Sequence, residues 1–278
     1  MNRKHIESTA VGIIKFHHLT YSLFDSKKKR MIRVYLPSDY YTNENEKYDV
    51  LYMLDGQNLF DAKTAAYYKE WQIDKTIESL KDEIKPTIVV GLDCSEDRMN
   101  EYLPDWDDEL LIEELTPKSD LTFDFLINRV MPFIEKHYRV NLGREHTSFG
   151  GSSMGGLMAL EALLKHNDLF KNYYAFSPAF SIFRYGYREM PGKYDRGDKV
   201  LDNILVKLKQ VELNYKLILT SGGQGYEESY YYVVKKMKKV LAKRLKDNLL
   251  VKQDMSLNHD ENQWAIFFKD AYKFVNNF

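Results

Sequence analysis

Near the middle of the chain lies Phe149-Gly150-Gly151-Ser152-Ser153-Met154-Gly155-Gly156, and no other stretch constrains the fold as tightly. A short strand pattern, His146 to Phe149, precedes it, and helix-period residues from about Met154 to His166 follow. A serine at the tip of a sharp strand-to-helix turn sits in strained backbone. Side chains two residues to either side of it would collide with the neighbouring chain, so Gly-x-Ser-x-Gly is the spacing that such a turn requires. The spacing also chooses between two serines: Ser153 is bracketed by Gly151 and Gly155, whereas Ser152 lies between Gly150 and Met154. The pattern alone arises by chance in roughly one chain in ten of this size, so its weight depends on what surrounds it.

What surrounds it is an alternation of short apolar runs with longer helix-period segments, the mark of an α/β protein. Strands are expected at Met31–Leu36, Tyr48–Leu54, Thr87–Leu92, His146–Phe149, Asn172–Ser177, Tyr215–Thr220 and Asn248–Leu257. Helices are expected at Trp71–Lys81, Leu121–Tyr138, Met154–His166, Glu228–Lys246 and Trp264–Phe278, with Pro132 kinking or dividing the second. Two segments interrupt the pattern: residues 103–120, acidic around Trp106, and residues 179–202, rich in Tyr, Arg and Gly. Long loops in a compact domain often serve as lids or pocket walls. With no internal repeat and no linker-like stretch, residues 1–278 read as one domain.

A nucleophilic serine needs a base, and in a strand-turn-helix setting of this kind the order along the chain is Ser, acid, His. Of seven histidines, His5, His17, His18, His137 and His146 precede Ser153, and His166 lies near the far end of the helix that the turn starts. His259 is left, between the last strand and the closing helix. The acid is expected in the loop Ser221-Gly222-Gly223-Gln224-Gly225-Tyr226-Glu227-Glu228. Of its two carboxylates one suits the histidine and the other the dipole of the following helix; Glu227 is preferred, with Glu228 as the alternative. Oxyanion donors are expected from the backbone N–H groups of Met154, at the helix N-terminus, and Gln57, in Asp55-Gly56-Gln57-Asn58.

Taken together, Tyr52-Met53-Leu54-Asp55-Gly56-Gln57-Asn58-Leu59-Phe60-Asp61, Val90-Gly91-Leu92-Asp93, Arg98-x-x-Glu101-Tyr102 and Gly151-Ser152-Ser153-Met154-Gly155-Gly156-Leu157 resemble the esterase branch of the α/β-hydrolase superfamily. That branch includes enterochelin esterases, feruloyl and acetyl-xylan esterases, S-formylglutathione hydrolases and mycolyltransferases. The resemblance runs from about Arg33 to the C-terminus. It implies a mostly parallel twisted sheet with helices on both faces, and a Ser-His-acid carboxylic-ester hydrolase with Ser153 as nucleophile and His259 as base. Relatives often carry a Gly-Thr-x-Glu/Asp acid loop; an ungapped match puts Gly225 at the carboxylate position, and two extra loop residues restore Glu227.

Composition fits a small-molecule ester as substrate. With 40 basic and 41 acidic side chains the net charge is −1, so no global field draws the chain to nucleic acid or an anionic membrane. No run approaches the length of a membrane helix. The single cysteine, Cys94, excludes an intramolecular disulfide and any multi-cysteine zinc site. No apolar stretch follows the basic residues at Met1–Ser8, which reads as a cytoplasmic protein. The chemistry needs no metal and no cofactor. Arg98 and Tyr102 are candidate substrate-binding residues, as are Arg184, Arg188 and the tyrosines between Tyr185 and Tyr194. An acyltransferase would use the same triad, and a non-catalytic binding protein would have lost one of its members. Neither the oligomeric state nor the particular ester is written in the sequence.

Overall fold

The computed structural model describes residues 7–23, 26–106, 115–183, 196–212 and 214–276. Its strands are β1 (Ile13–Leu23), β2 (Ser26–Leu36), β3 (Val50–Leu54), β4 (Ile88–Leu92), β5 (Thr147–Ser152), β6 (Asn172–Phe176), β7 (Lys216–Ser221) and β8 (Leu249–Gln253). They form one eight-stranded sheet in the order β1-β2-β4-β3-β5-β6-β7-β8. β1 pairs antiparallel with β2 and β2 antiparallel with β4, while every pairing from β4 across to β8 is parallel.

Period-two side chains decide which face each strand residue serves. In β3, Val50, Tyr52 and Leu54 join one core cluster, and Leu51 and Met53 join another. A strand buried on both faces tends to be apolar along its length, which makes β3 and β4 legible as short continuous runs; β6 follows the same pattern after buried Asn172, whose Nδ2 donates to Ser148 Oγ. The first cluster is closed by helices α3 (Ser119–Phe125), α4 (Met131–His137), α5 (Met154–Lys165), α6 (Arg196–Leu208) and α7 (Glu227–Leu245). The second is closed by α1 (Ile73–Ser79) and α8 (Glu261–Val275). A short helix α2 (Arg98–Glu101) follows β4. Among the described residues no helix is long and apolar enough to cross a membrane.

Two differences from the sequence reading, and one break that it expected, have physical causes. β1 was not foreseen. It is the outer edge strand, with Lys15, Phe16, His18 and Thr20 exposed, so His17 and His18 blur the alternation that burial would impose. The helix expected over Leu121–Tyr138 is divided: a π-turn, Leu126–Val130, separates α3 from α4, and the Met131 N–H reaches back five residues to the Leu126 carbonyl. Pro132, at the start of α4, has no N–H to give an ordinary turn, and the widened one absorbs the mismatch. Segment 179–202 is not loop throughout. Phe180, Ile182 and Phe183 are buried in a 3-10 turn, and α6 seats Val200, Leu201, Ile204, Leu205 and Leu208 in the core. Residues 107–114 and 184–195, and with them Arg184, Arg188 and Tyr185 to Tyr194, lie outside the described residues.

Candidate active site

Because β3 to β8 run in one direction, the loops after them gather at one end of the sheet, where open α/β sheets bind ligands. Ser153 stands there between β5 and α5, at φ 59° and ψ −119°. Left-handed φ is costly for a residue with a Cβ, of order 1–3 kcal/mol, and neighbours hold it in place. Its N–H donates to the Phe176 carbonyl at 2.9 Å, and its carbonyl accepts N–H groups from Gly156, Leu157 and Ala179 at 3.0 to 3.2 Å. A Cβ on Gly151 would lie 2.9 Å from Gly155 Cα, so the turn closes only with glycine there.

His259 and Glu227 meet. His259 Nδ1 donates to Glu227 Oε1 at 2.8 Å, which leaves Nε2 as the proton acceptor of the ring. Glu227 is fully buried as the first residue of α7, with two further donors on its carboxylate: the Gly222 N–H at 2.9 Å and Gln263 Nε2 at 2.9 Å. Glu228, one residue on, is exposed. Gly222 is glycine because a Cβ there would come within 2.1 Å of Gln263 Oε1 and 2.4 Å of the Leu257 carbonyl. The His259 ring also packs against Tyr230 and, at right angles, Trp264, each with centroids 5.1 Å away. Asp260 caps α8 by accepting the N–H groups of Asn262 and Gln263, which fixes the loop carrying His259.

Both expected oxyanion donors lie at the same end. Met154 opens α5, and Gln57 occupies the 3-10 turn Gly56–Asn58 after β3. The Gln57 side chain is turned toward β4: its Oε1 accepts the Cys94 N–H at 3.0 Å, and its Nε2 donates to Cys94 Sγ at 3.3 Å. What Gln57 offers the site, it therefore offers from its backbone. Cys94 is a brace for that turn. Burial above all, with Asp55 adding to it, pushes its thiol up to about 12, so it is no thiolate at neutral pH.

Arg98 and Tyr102, the candidate substrate-binding residues, are placed against Asp55. Arg98 grips Asp55 with two parallel hydrogen bonds, Nε to Oδ1 and Nη2 to Oδ2, both 2.7 Å, and its guanidinium lies 5.0 Å from the Tyr102 ring. Tyr102 is fully buried, and its hydroxyl accepts the Asp55 N–H at 3.4 Å. Asp55 itself is left-handed, φ 57° and ψ 47°. Arg98 and Tyr102 hold this strained corner, and so the turn bearing Gln57. Arg33 grips Asp93 in the same two-bond manner, and Arg30 pairs with Glu101. The quoted motifs around β3 and β4 thus consist largely of buried braces.

Several residues of the site were not foreseen. Ser177, after β6 and left-handed at φ 45°, accepts from Gln263 Nε2 at 2.8 Å and Trp264 Nε1 at 3.1 Å. Gln263 thereby bridges Ser177 and Glu227. The signal was present as a glutamine four residues after the histidine on an otherwise apolar helix face, but a polar residue early in a helix reads first as a solvated one.

Comparison with known proteins agrees with this architecture. The family described as "Putative esterase" matches residues 25–273. The chain is 26% identical over 144 residues to Uncharacterized protein YbbA of Bacillus subtilis (strain 168), a match covering 51% of this chain and about half, 53%, of that relative. The BES protein from Bacillus cereus superposes with a TM-score of 0.69 at 19% identity, covering 98% of each chain. The ferulic acid esterase of the anaerobic fungus Anaeromyces mucronatus does so with a TM-score of 0.61 at 20% identity, covering 99% of this chain and 92% of that one. The sheet and its helices have the α/β-hydrolase fold. Since the family match takes in all of the sheet from β3 onward together with the strained serine, the histidine and its carboxylate, the chain belongs to the putative esterase family.

Proposed function

We propose that this esterase cleaves carboxylic esters through an acyl-serine intermediate, with Ser153, His259 and Glu227 as its triad. The observation that carries the reading is the 2.8 Å bond from His259 Nδ1 to a fully buried Glu227, at the end of the sheet where Ser153 sits strained on its turn. Glu227 fixes the tautomer, so Nε2 takes the Ser153 proton as Oγ attacks the ester carbonyl. The developing oxyanion is held by the backbone N–H groups of Met154 and Gln57. Charged His259 then returns its proton to the leaving alcohol, and water activated by the same ring releases the acid and restores the serine.

The substrate is a small acyl, aromatic or siderophore-type ester. The likeness to a ferulic acid esterase supports the aromatic option.

Turnover of p-nitrophenyl acetate and butyrate, a feruloyl ester and a catechol-siderophore lactone by wild type, Ser153→Ala, Glu227→Ala and Glu228→Ala tests the reading. Ser153→Ala should abolish turnover and labelling by a fluorophosphonate. Glu227→Ala should lower kcat by roughly 10³- to 10⁴-fold, and Glu228→Ala should leave it near wild type. Normal turnover in Ser153→Ala would overturn the mechanism; a loss in Glu228→Ala with wild-type Glu227→Ala would move the acid one residue on.

A further inference from the structure

The turn after β3 and the N-terminus of α8 are joined at buried positions that the triad does not use. Asn58, next to Gln57, is 7% exposed, and Glu261, two residues beyond His259, is 6% exposed. Asn58 Nδ2 donates to Glu261 Oε1 at 2.8 Å. The same side chain accepts the Ala66 N–H on Oδ1 at 2.9 Å, and the Asn58 carbonyl accepts the Trp71 N–H at 2.9 Å. Asn58 is therefore fixed to its own segment on two sides and reaches α8 on the third. Nearer solvent, Lys69 Nζ bonds Asp260 Oδ2 at 2.5 Å. The Trp71 ring centroid lies 5.4 Å from that of Trp264, whose ring packs at right angles to His259.

A carboxyl in this position is costly. Burial above all, with Asp55 and Asp260 adding and Lys69 opposing, pushes Glu261 up to about 7. An apolar pair of the same size would hold the two segments together with less desolvation. What a hydrogen bond adds is direction: it fixes one segment against another to a fraction of an ångström, and oxyanion donors act only when so placed. Building on the triad reading above, we propose that Asn58 and Glu261 form a positioning pair that sets the Gln57 backbone N–H relative to His259, so that oxyanion donor and base are held as one unit.

The test compares Glu261→Met, Glu261→Gln, Asn58→Ala and Asn58→Ala/Glu261→Met with wild type, measuring kcat and KM on p-nitrophenyl butyrate, the inhibition constant of a trifluoromethyl ketone and Tm. Met fills the volume of Glu261 without offering an acceptor. It should lower kcat roughly 10- to 100-fold, as a misplaced catalytic group does, with KM changed less than about threefold and Tm maintained. The ketone, which binds as an oxyanion, should weaken by the same factor. Gln keeps an acceptor for Asn58 and should restore kcat to within about threefold. The double variant should be no slower than Asn58→Ala, since both remove one interaction. Wild-type kcat in Glu261→Met, or losses that multiply in the double variant, would overturn the pair. Wild type that neither turns over esters nor reacts with a fluorophosphonate would overturn the triad reading beneath it, a result distinct from either.

Discussion

At the scale of single residues, the glycines around Ser153 do unequal work. A Cβ on Gly151 would meet Gly155 Cα at 2.9 Å, and one on Gly156 would meet the Phe176 carbonyl at 2.7 Å. One on Gly155 would find only ordinary contacts, its nearest neighbour being Leu54 Cβ at 3.5 Å. The spacing Gly-x-Ser-x-Gly names Gly155, yet the crowded second position is Gly156. Gly155→Ala should therefore keep kcat within about threefold of wild type. Gly151→Ala and Gly156→Ala should each lower kcat at least roughly tenfold, and Tm by several degrees, because backbone has to move to admit the methyl. Paired rate and melting measurements on the three variants decide it. Arg98 teaches the same lesson: the sequence offers a guanidinium near the site, and only the two bonds to Asp55 show that it is already engaged.

At the scale of elements, legibility followed burial. Strands β3, β4 and β6 are covered on both faces, so their sequences are mostly apolar runs whose limits fall within two residues of those read from the pattern. β1 has no such imprint, because an edge strand half in solvent is free to carry histidines and lysine. Ser153 and His259 were legible because the turn needs glycine and the order along the chain leaves one histidine. Gln263, Asn58 and Glu261 were not, since a buried polar pair has no periodicity and each partner is distant in sequence. A further pair of this kind ties segment 103–106 to α5: Trp106 Nε1 donates to the fully buried Glu161, and the indole stacks on Phe180 and Phe183. Trp106→Phe preserves the stacking and removes the donor, and should cost about 1–3 kcal/mol of unfolding free energy. Trp106→Ala should cost more, in denaturant titrations at neutral pH, because the cavity adds to the lost bond.

At the scale of the whole molecule, a buried carboxyl contributes a pH dependence. Asp74, fully buried near the start of α1, accepts the Val11 N–H at 2.7 Å and so straps the segment before β1 to the fold. Burial, more than any neighbour, pushes its carboxyl up from 3.8 to about 7; Glu70 reinforces the shift and Lys75 opposes it. The fold thus favours the protonated acid. The stability that this contributes is present below about pH 4 and is lost as pH rises through about 7, since over that range the native state holds a proton that the unfolded chain has released. Asp74→Asn keeps an acceptor for Val11 and cannot ionise. Its Tm should exceed that of wild type by about 2–4 °C at pH 8, for a gain of about 1 kcal/mol, with the advantage shrinking to nothing near pH 4. Melting curves across pH 4 to 8 would show this; a constant difference would mean that Asp74 is not the group titrating.

Asp55, Ser153 and Ser177 all adopt left-handed backbone, and they stand directly after β3, β5 and β6, three strands side by side in the sheet. One route to greater heat resistance is to relieve backbone strain by placing glycine where φ is positive. Here those gains are closed: one position carries the hydroxyl proposed to attack the ester, one the carboxylate that Arg98 grips, and one the oxygen that anchors Gln263 and Trp264. A heat-adapted descendant of this chain would have to harden at the opposite end of the sheet, leaving the strain at this end in place.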